Sequence, residues 1–248
     1  MSVKIFVNNS ARNIEELICG ENWEYKQLCI NVYEVFVEGS PMLIAKIYDT
    51  KKSAQHESQI LYSLEKLEGF PRVVATILSD EFNCVVMHRV SGIELYELIT
   101  QKGSFSEKEA KNIIKLLLPI VQSLHNVGIT HHDIKPENII YDQEENKLTL
   151  IDFEYNKRTL WYTAPEYFSC DMESKASDMW SIGVVLYTML TSSIPFDTKA
   201  GIRYMEPIID PDWSPLLIDF VNGLLKKSFK RRLTMKDAMT HPWLKDNN

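Results

Sequence analysis

Cysteine, long apolar runs and positive charge are scarce in this sequence, and each shortage excludes a class of protein. Its 4 cysteines lie far apart without metal-type spacing, so we expect reduced thiols and an intracellular protein, cytoplasmic or nuclear. No run of roughly 18 apolar residues occurs, which predicts no membrane span, and the first residues lack the apolar core of a signal peptide. A net charge of -7 argues against a nucleic-acid-binding surface.

The remaining composition is that of an ordinary globular protein, with 45% hydrophobic and 25% charged residues. A chain of 248 residues suits a single large domain or two lobes around a cleft. Residues 28–37 and 42–48 have the composition of strands, and residues 53–67 have the apolar spacing of a helix. From residue 92 onward the pattern is mainly helical, with a capping box at Ser106 and Glu109 and a hairpin over 139–150.

An acid, a lysine and an amide are concentrated in residues 131–138, at Asp133, Lys135 and Asn138, and a second acid, Asp152, follows an apolar run. Phosphoryl transfer needs such a set. One carboxylate orients a hydroxyl nucleophile, a cation steadies the moving group, and an amide and a second acid hold Mg²⁺. The alternative interpretation is a polar loop with a chance acid and amide.

Three motifs in order disfavour that alternative. The octet His131–Asn138 resembles the catalytic loop of eukaryotic-type protein kinases, 152–154 resembles their Asp-Phe-Gly, and 164–166 is their Ala-Pro-Glu. The resemblance runs from about Leu28 to Leu244, and its last segment is similar to calmodulin-dependent-type kinases. It implies an α+β, bilobal protein kinase domain over 1–248. A small, mainly antiparallel β lobe with one helix would occupy 1–90, and a larger, mainly helical lobe 91–248.

The resemblance also implies the chemical roles of the polar residues. Asp133 would orient or deprotonate the substrate hydroxyl, and Lys135 would stabilise the transferring γ-phosphate. Thr159 matches a threonine whose hydroxyl contacts both of these residues in relatives. Asn138 and Asp152 would bind the metal. ATP and Mg²⁺ are therefore the expected cofactors, with Mn²⁺ also open.

The nucleotide-binding residues implied by the resemblance begin with Lys46, in the strand 42–48, and Glu57, in the helix 53–67. Taken alone, Lys46 is a strand-edge lysine and Glu57 a solvated helix residue; the resemblance pairs them around the α- and β-phosphates. Two interpretations of Glu94 stay open. It contacts ribose or a substrate side chain, or it is only a favourable acid in the first turn of a helix. The other residues expected at ATP are Val32, Ala45, Met87, His88, Val90 and Ile140.

Six residues are expected to have structural roles. Leu61 would lie in an internal apolar column with His131 and Phe153. Asp178 would accept hydrogen bonds from the backbone of the catalytic loop. Glu166 would form an ion pair with Arg232.

The sequence departs from the family pattern where relatives cradle the phosphates. Tyr25, Gln27 and Ile30 stand at the positions of the glycines that let backbone amides approach a phosphate. Glu154 replaces the glycine after Asp152 and Phe153. The missing glycines predict weak nucleotide affinity. Glu154 restricts the backbone change between active and inactive states, so it predicts that this segment is fixed in one of them.

A further departure concerns activation. His132 replaces the arginine that holds a phosphorylated activation loop in relatives, and the segment between Glu154 and Pro165 is short for the family. His132 could itself titrate. We therefore expect no activation by phosphorylation of Thr159 or Thr163.

The leading hypothesis is a compact, constitutively active serine/threonine kinase, because lysine two residues after the catalytic acid is typical of that class. Its partners would be protein substrates, and Glu94 and Glu137 would favour a basic residue before the target. The alternative is a pseudokinase, a binding or allosteric scaffold with little turnover; a small-molecule kinase is a third reading. The compact length also suits a viral enzyme acting in a host cell. The physiological substrate and the oligomeric state stay open.

Overall fold

The computed structural model describes residues 23–37, 42–80, 82–154, 158–170 and 174–245. The first residues and Cys19, on which two of the expectations above rest, lie outside these ranges; Cys29 and Cys84 are free thiols. The chain divides into two compact units. The first unit contains the described residues through Ser91 together with 151–154, and the second contains Gly92–Leu150 and the described residues from 158 onward.

This division differs from the expected boundary at residue 90 in one segment. Residues 151–154 were expected in the second part of the chain but belong to the first unit. Contacts of Phe153 account for this. Its ring packs on Phe70 with 5.9 Å between centroids, and its backbone N–H donates to Glu57 Oε1 at 3.3 Å.

Among its described residues, the first unit has a five-stranded antiparallel sheet and one helix. The strand order is β1-β2-β3-β5-β4. Helix α1 joins β3 to β4. The element bounds are β1 Trp23–Cys29, β2 Val32–Val37, β3 Leu43–Tyr48, α1 Lys51–Ser63, β4 Val73–Leu78 and β5 Asn83–His88.

Two sequence expectations in this unit need adjustment. The strand expected over 28–37 is interrupted by a two-residue turn at Ile30 and Asn31, where Asn31 takes a left-handed φ of 62°. Helix α1 begins and ends earlier than the predicted 53–67. The Thr50 hydroxyl caps it by accepting from the backbone N–H of Ser53 at 3.1 Å. The core of this unit is the buried cluster Val35, Leu43, Ala45, Ile77, Phe82, Cys84 and Val86.

The second unit is mainly helical and carries a three-stranded sheet of order β6-β7-β8. Strands β6 Ile93–Glu94, β7 Ile139–Asp142 and β8 Lys147–Leu150 form it, and β7 with β8 confirms the predicted hairpin. The helices are α2 Leu95–Lys102, α3 Glu107–Asn126, α4 Tyr167–Cys170, α5 Lys175–Thr191, α6 Lys199–Tyr204, α7 Pro215–Leu224 and α8 Met235–Thr240.

Helices α3 and α5 form the centre of the second unit. The predicted capping box of α3 is confirmed, with the Ser106 and Glu109 side chains bonding each other's backbone N–H groups. Helix α5 is buried from Asp178 to Leu190. A Cβ at Gly183 would lie 2.8 Å from Leu224 Cβ, so glycine permits the close approach of α5 and α7. Among the described residues, no helix has the length and apolar character needed to cross a membrane.

Candidate functional site

The first group of candidate residues surrounds the ammonium of Lys46, in the first unit. Lys46 Nζ donates to Glu57 Oε2 at 2.8 Å and to Asp152 Oδ1 at 2.6 Å. Glu154 Oε2 lies 3.8 Å away. Burial lowers the pKa of Lys46, but Glu57 and Asp152 outweigh burial and hold this pKa above its usual range. The predicted Lys46–Glu57 ion pair is therefore present, and further carboxylates share its lysine.

Glu57 is fixed by more than its lysine. Its Oε2 also accepts a 2.6 Å hydrogen bond from the Tyr48 hydroxyl, and its Oε1 accepts from the backbone N–H of Phe153. Sequence reasoning missed Tyr48. The available signal was its position two residues after Lys46 in a strand, because such residues share a face of the sheet.

Asp152 and Glu154 lie on a segment with unusual backbone geometry. Asp152 has a φ of 72°, in the left-handed region that few non-glycine residues adopt. Its carboxylate bonds Lys46, which helps to hold this conformation. Glu154 faces the same lysine and is about one-third exposed. The residue that replaces glycine thus adds negative charge beside Lys46.

The region corresponding to the expected glycine-rich loop is a tight hairpin between β1 and β2. A bulge between Gln27 and Cys29 precedes the two-residue turn. Ile30 is 85% exposed, and Tyr25 is 44% exposed. Bulky side chains therefore extend to solvent where the family pattern has glycines.

The second group surrounds the buried carboxylate of Asp133, in the second unit. Its Oδ1 accepts from the backbone N–H of Thr159 at 2.7 Å. Its Oδ2 lies 3.3 Å from both Lys135 Nζ and Asn138 Nδ2. The Thr159 hydroxyl accepts from Lys135 Nζ at 2.8 Å. The resemblance implied that this hydroxyl contacts both residues; here it contacts the lysine, while the backbone N–H of Thr159 bonds the acid.

Asn138 completes this loop and suits a hard cation. Its Nδ2 donates to the carbonyl oxygen of Asp133 at 2.8 Å as well as to the carboxylate. Because the amide nitrogen is used within the loop, the amide oxygen is the natural ligand atom. Amide oxygens and carboxylates are the donors that Mg²⁺ prefers, so the chemistry of Asn138 and, in the first unit, of Asp152 fits the expected metal. Within the described residues, no cluster of three or more His, Cys, Asp or Glu is arranged to hold a metal by itself.

Asp178 anchors the backbone of the catalytic loop, as expected. Its Oδ2 accepts from the backbone N–H of His131 at 3.0 Å, and its Oδ1 from that of His132 at 2.9 Å. Oδ2 also bonds His125 Nε2 at 2.7 Å, a partner that sequence reasoning missed. Burial raises the pKa of Asp178, but these partners outweigh it and lower the pKa below its usual value. Burial also lowers the pKa of His132, which favours its neutral form at pH 7.

The remaining structural residues are found in both units. Arg232 forms the predicted ion pair with Glu166, with Nη1 and Nη2 donating to the two carboxylate oxygens at 2.7 and 2.8 Å. Leu61 and Phe153 are buried in the first unit. His131, the third member of the expected apolar column, is buried in the second.

The other residues expected at ATP are also divided between the units. Strands of the first unit hold Val32, which pairs with Lys46, and Ala45, which is fully buried. In the second unit, Glu94 pairs with Ile140 across β6 and β7. The rest, all in the first unit, are Met87, His88 and Val90.

Comparison with known proteins concerns the family of the chain. The protein kinase domain family model matches residues 44–244. The myosin light chain kinase A of Dictyostelium discoideum is 33% identical over 229 residues, covering 81% of this chain and 76% of that protein. The calcium/calmodulin-dependent protein kinase type 1 of Macrobrachium nipponense is 29% identical over 247 residues, covering 88% and 71%. Its namesake in Caenorhabditis elegans is 31% identical over 220 residues, covering 79% and 63%.

The chain therefore belongs to the protein kinase family and is a protein serine/threonine kinase of the eukaryotic type. Members of this family generally use ATP and Mg²⁺.

Proposed function

We propose that this kinase is catalytically active and transfers the ATP γ-phosphoryl group to serine or threonine hydroxyls of proteins. One observation supports the proposal most directly: Lys46 Nζ donates hydrogen bonds to both Glu57 and Asp152. In protein kinases, the pairing of this lysine and glutamate and the placement of this aspartate are both required for activity. Here both contacts form within the first unit.

Each residue of the two groups has a defined task in this proposal. Asp133 orients the substrate hydroxyl and accepts its proton, while that oxygen forms a bond to the γ-phosphorus and the bond to the β-phosphate oxygen breaks. Lys135 stabilises charge on the transferring group. Lys46 binds the α- and β-phosphates. Asn138 and Asp152 would hold Mg²⁺ through their oxygens, and Mn²⁺ suits the same donors. The metal would supply positive charge beside the phosphates, and ADP is the leaving group.

We also propose that activity does not depend on phosphorylation of the segment before Ala164. His132 has a lowered pKa, so it offers no fixed positive charge to a phosphate at pH 7. Thr163 is buried, and its hydroxyl donates to the carbonyl oxygen of Thr159 at 3.0 Å. Phosphatase treatment should leave the rate unchanged; a severalfold loss that returns on rephosphorylation would contradict constitutive activity.

The protein substrates are proposed to carry a basic residue before the target hydroxyl. Burial raises the pKa of Glu94, and the neighbouring carboxylates of Glu137 and Glu97 add to this effect. Glu137 Oε2 is buried and has no hydrogen-bond partner among the described residues. A concentration of negative charge with an unsatisfied oxygen suits a Lys or Arg side chain. A peptide array with no basic preference upstream of the target would remove this part of the proposal.

The pseudokinase alternative is favoured by two specific observations. Glu154 would compete with phosphate oxygens for Lys46, and exposed Tyr25 and Ile30 occupy the β1–β2 hairpin. Under this alternative the protein would bind partners without transferring phosphate. The presence of both Asp133 and Lys135, held in one hydrogen-bonded loop, favours the enzyme.

Transfer of radiolabelled phosphate from ATP to a basic protein tests the proposal. Wild type should label the substrate, and Asp133→Asn and Lys46→Met should each reduce labelling to background. Glu144→Gln, at an exposed turn, is a matched control that should retain the wild-type rate. Absence of labelling by the wild type, with either metal, would favour the pseudokinase.

Reduced thiols and the need for ATP also lead us to propose an intracellular location, cytoplasmic or nuclear.

A further inference from the structure

Tyr48 makes a contact that the kinase family pattern does not assign. It ends β3, two residues after Lys46, and its hydroxyl donates at 2.6 Å to Glu57 Oε2. That oxygen is also the one that accepts from Lys46 Nζ. Both partners are buried, with 5% of Tyr48 and 2% of Glu57 exposed. Resting on the proposed function, we infer that Tyr48 is a positioning residue that holds Glu57, and with it helix α1, in the arrangement required for phosphoryl transfer.

The need for a second donor follows from the demands on Lys46. Its ammonium is shared between Glu57 and Asp152, and the shorter contact is to Asp152. Glu154 attracts it further at 3.8 Å. Binding phosphate oxygens would add another demand. A lysine shared in this way holds Glu57 less firmly than a dedicated partner would, and an unsatisfied buried carboxylate is costly.

Tyr48 meets this need because its hydroxyl has one hydrogen to donate and gives it to Glu57. Burial raises the pKa of Tyr48, and the Glu57 charge raises it further, so the hydroxyl stays protonated over the working pH range. A neutral phenol also has no charge with which to bind phosphate. Glu57 therefore keeps one hydrogen bond whichever anion Lys46 binds.

The contact also reaches the segment that contains Asp152. Glu57 Oε1 accepts from the backbone N–H of Phe153, the residue after Asp152. A Glu57 that moved away from Tyr48 would loosen this bond as well. Losing a hydrogen bond to a charged group shifts the equilibrium between the bonded and released positions of that group by roughly ten- to a hundredfold. The effect of losing the Tyr48–Glu57 bond should be of this size.

Tyr48→Phe tests the inference because it removes only the hydroxyl and keeps the ring. We expect kcat/KM for ATP to fall about tenfold and amide hydrogen exchange in α1, residues 51–63, to accelerate. The matched control is Tyr62→Phe, since the Tyr62 hydroxyl lies on the same helix, is exposed, and contacts Thr76 only at 3.4 Å. The control should leave both measurements at their wild-type values.

A second variant distinguishes positioning from general stability. In a Lys46→Met background, Tyr48 is the remaining side-chain donor to Glu57 among the described residues, so adding Tyr48→Phe should accelerate exchange in α1 more than it does in wild type. Exchange requires no turnover, so this result stands even if the wild type proves inactive and the proposed function fails. Unchanged α1 exchange in both backgrounds would overturn the inference. So would an equal acceleration across all strands of the first unit, since that indicates global destabilisation.

Discussion

The group around Lys46 and the group around Asp133 differ in their balance of charge and in their agreement with the family. In the first unit, three carboxylates lie within 4 Å of one ammonium, at 2.6, 2.8 and 3.8 Å. In the second, donors outnumber the carboxylate, because a lysine, an amide and a backbone N–H all approach Asp133. The first group has Glu154 where the family has glycine, whereas the second retains Asp133, Lys135 and Asn138.

This difference allows nucleotide binding and phosphoryl transfer to be tested separately, although a rate measurement combines the two steps. Changes in the Lys46 group should appear mainly in nucleotide affinity, because Lys46 is the proposed phosphate ligand. Changes at Asp133 itself should appear mainly in kcat, because its proposed task concerns only the reacting hydroxyl.

The largest effect is expected from Asp133→Asn. Losing a general base or hydroxyl-orienting carboxylate lowers rates by roughly 10²- to 10⁴-fold, so kcat should fall by this factor. Mg-ATP affinity, measured by calorimetry, should stay within about twofold of wild type, because Asp133 is not a proposed phosphate or metal ligand. A large loss of affinity with little change in kcat would break the separation.

A large loss of stability is expected from Glu166→Gln. Arg232 is fully buried at its side chain and bonds both oxygens of Glu166, so the substitution leaves a buried charge without its counter-ion. Breaking such a pair costs about 3–5 kcal/mol of unfolding free energy. Urea denaturation of the wild type and of Glu166→Gln measures this loss. Glu145→Gln, at an exposed position, is the control variant. A loss below about 1 kcal/mol would show that the second unit does not depend on the pair.

Glu154→Gln is expected to raise the affinity for Mg-ATP by a small factor. The change removes a partly exposed carboxylate 3.8 Å from Lys46 Nζ, and partly exposed ion pairs contribute about 0.2–1 kcal/mol. Mg-ATP affinity should therefore rise by roughly up to fivefold, with kcat unchanged. Glu154→Gly should do at least as much. Weaker binding in both variants would mean that Glu154 assists the nucleotide or its metal.

The smallest effect concerns pH. Glu94 is ionised above its pKa, which burial and the charges of Glu137 and Glu97 raise. A basic peptide should therefore lose affinity as the pH falls through this raised pKa, at a higher pH than an ordinary carboxyl group would require. KM for a basic peptide should rise as the pH falls through this raised pKa and Glu94 is protonated, and Glu94→Gln should flatten the profile. A neutral peptide serves as the control, and an identical rise for both peptides would exclude Glu94.

The sequence predicted the Asp133 group better than the Lys46 group for a physical reason. Asp133, Lys135 and Asn138 lie within six positions, so local spacing nearly defines their arrangement. Contacts of Lys46 join β3, α1 and the segment at 152–154, which only the folded chain brings together. Tyr48 was therefore missed.

Other differences had local causes that spacing alone does not reveal. Helix α1 stops at Ser63 although the apolar spacing continues to residue 67. Thr159 uses its backbone N–H, not its hydroxyl, for Asp133. Both outcomes depend on backbone geometry, about which residue identity carries little information.

The central claim is that the nucleotide-binding residues are altered while the transfer residues are intact, and calorimetric titration with Mg-ATP tests it most directly. The account predicts a dissociation constant nearer about 1 mM than 1 μM for the wild type. It also predicts tighter binding by Glu154→Gln and unchanged binding by Asp133→Asn. Micromolar or tighter binding by the wild type, unaffected by Glu154→Gln, would contradict the claim.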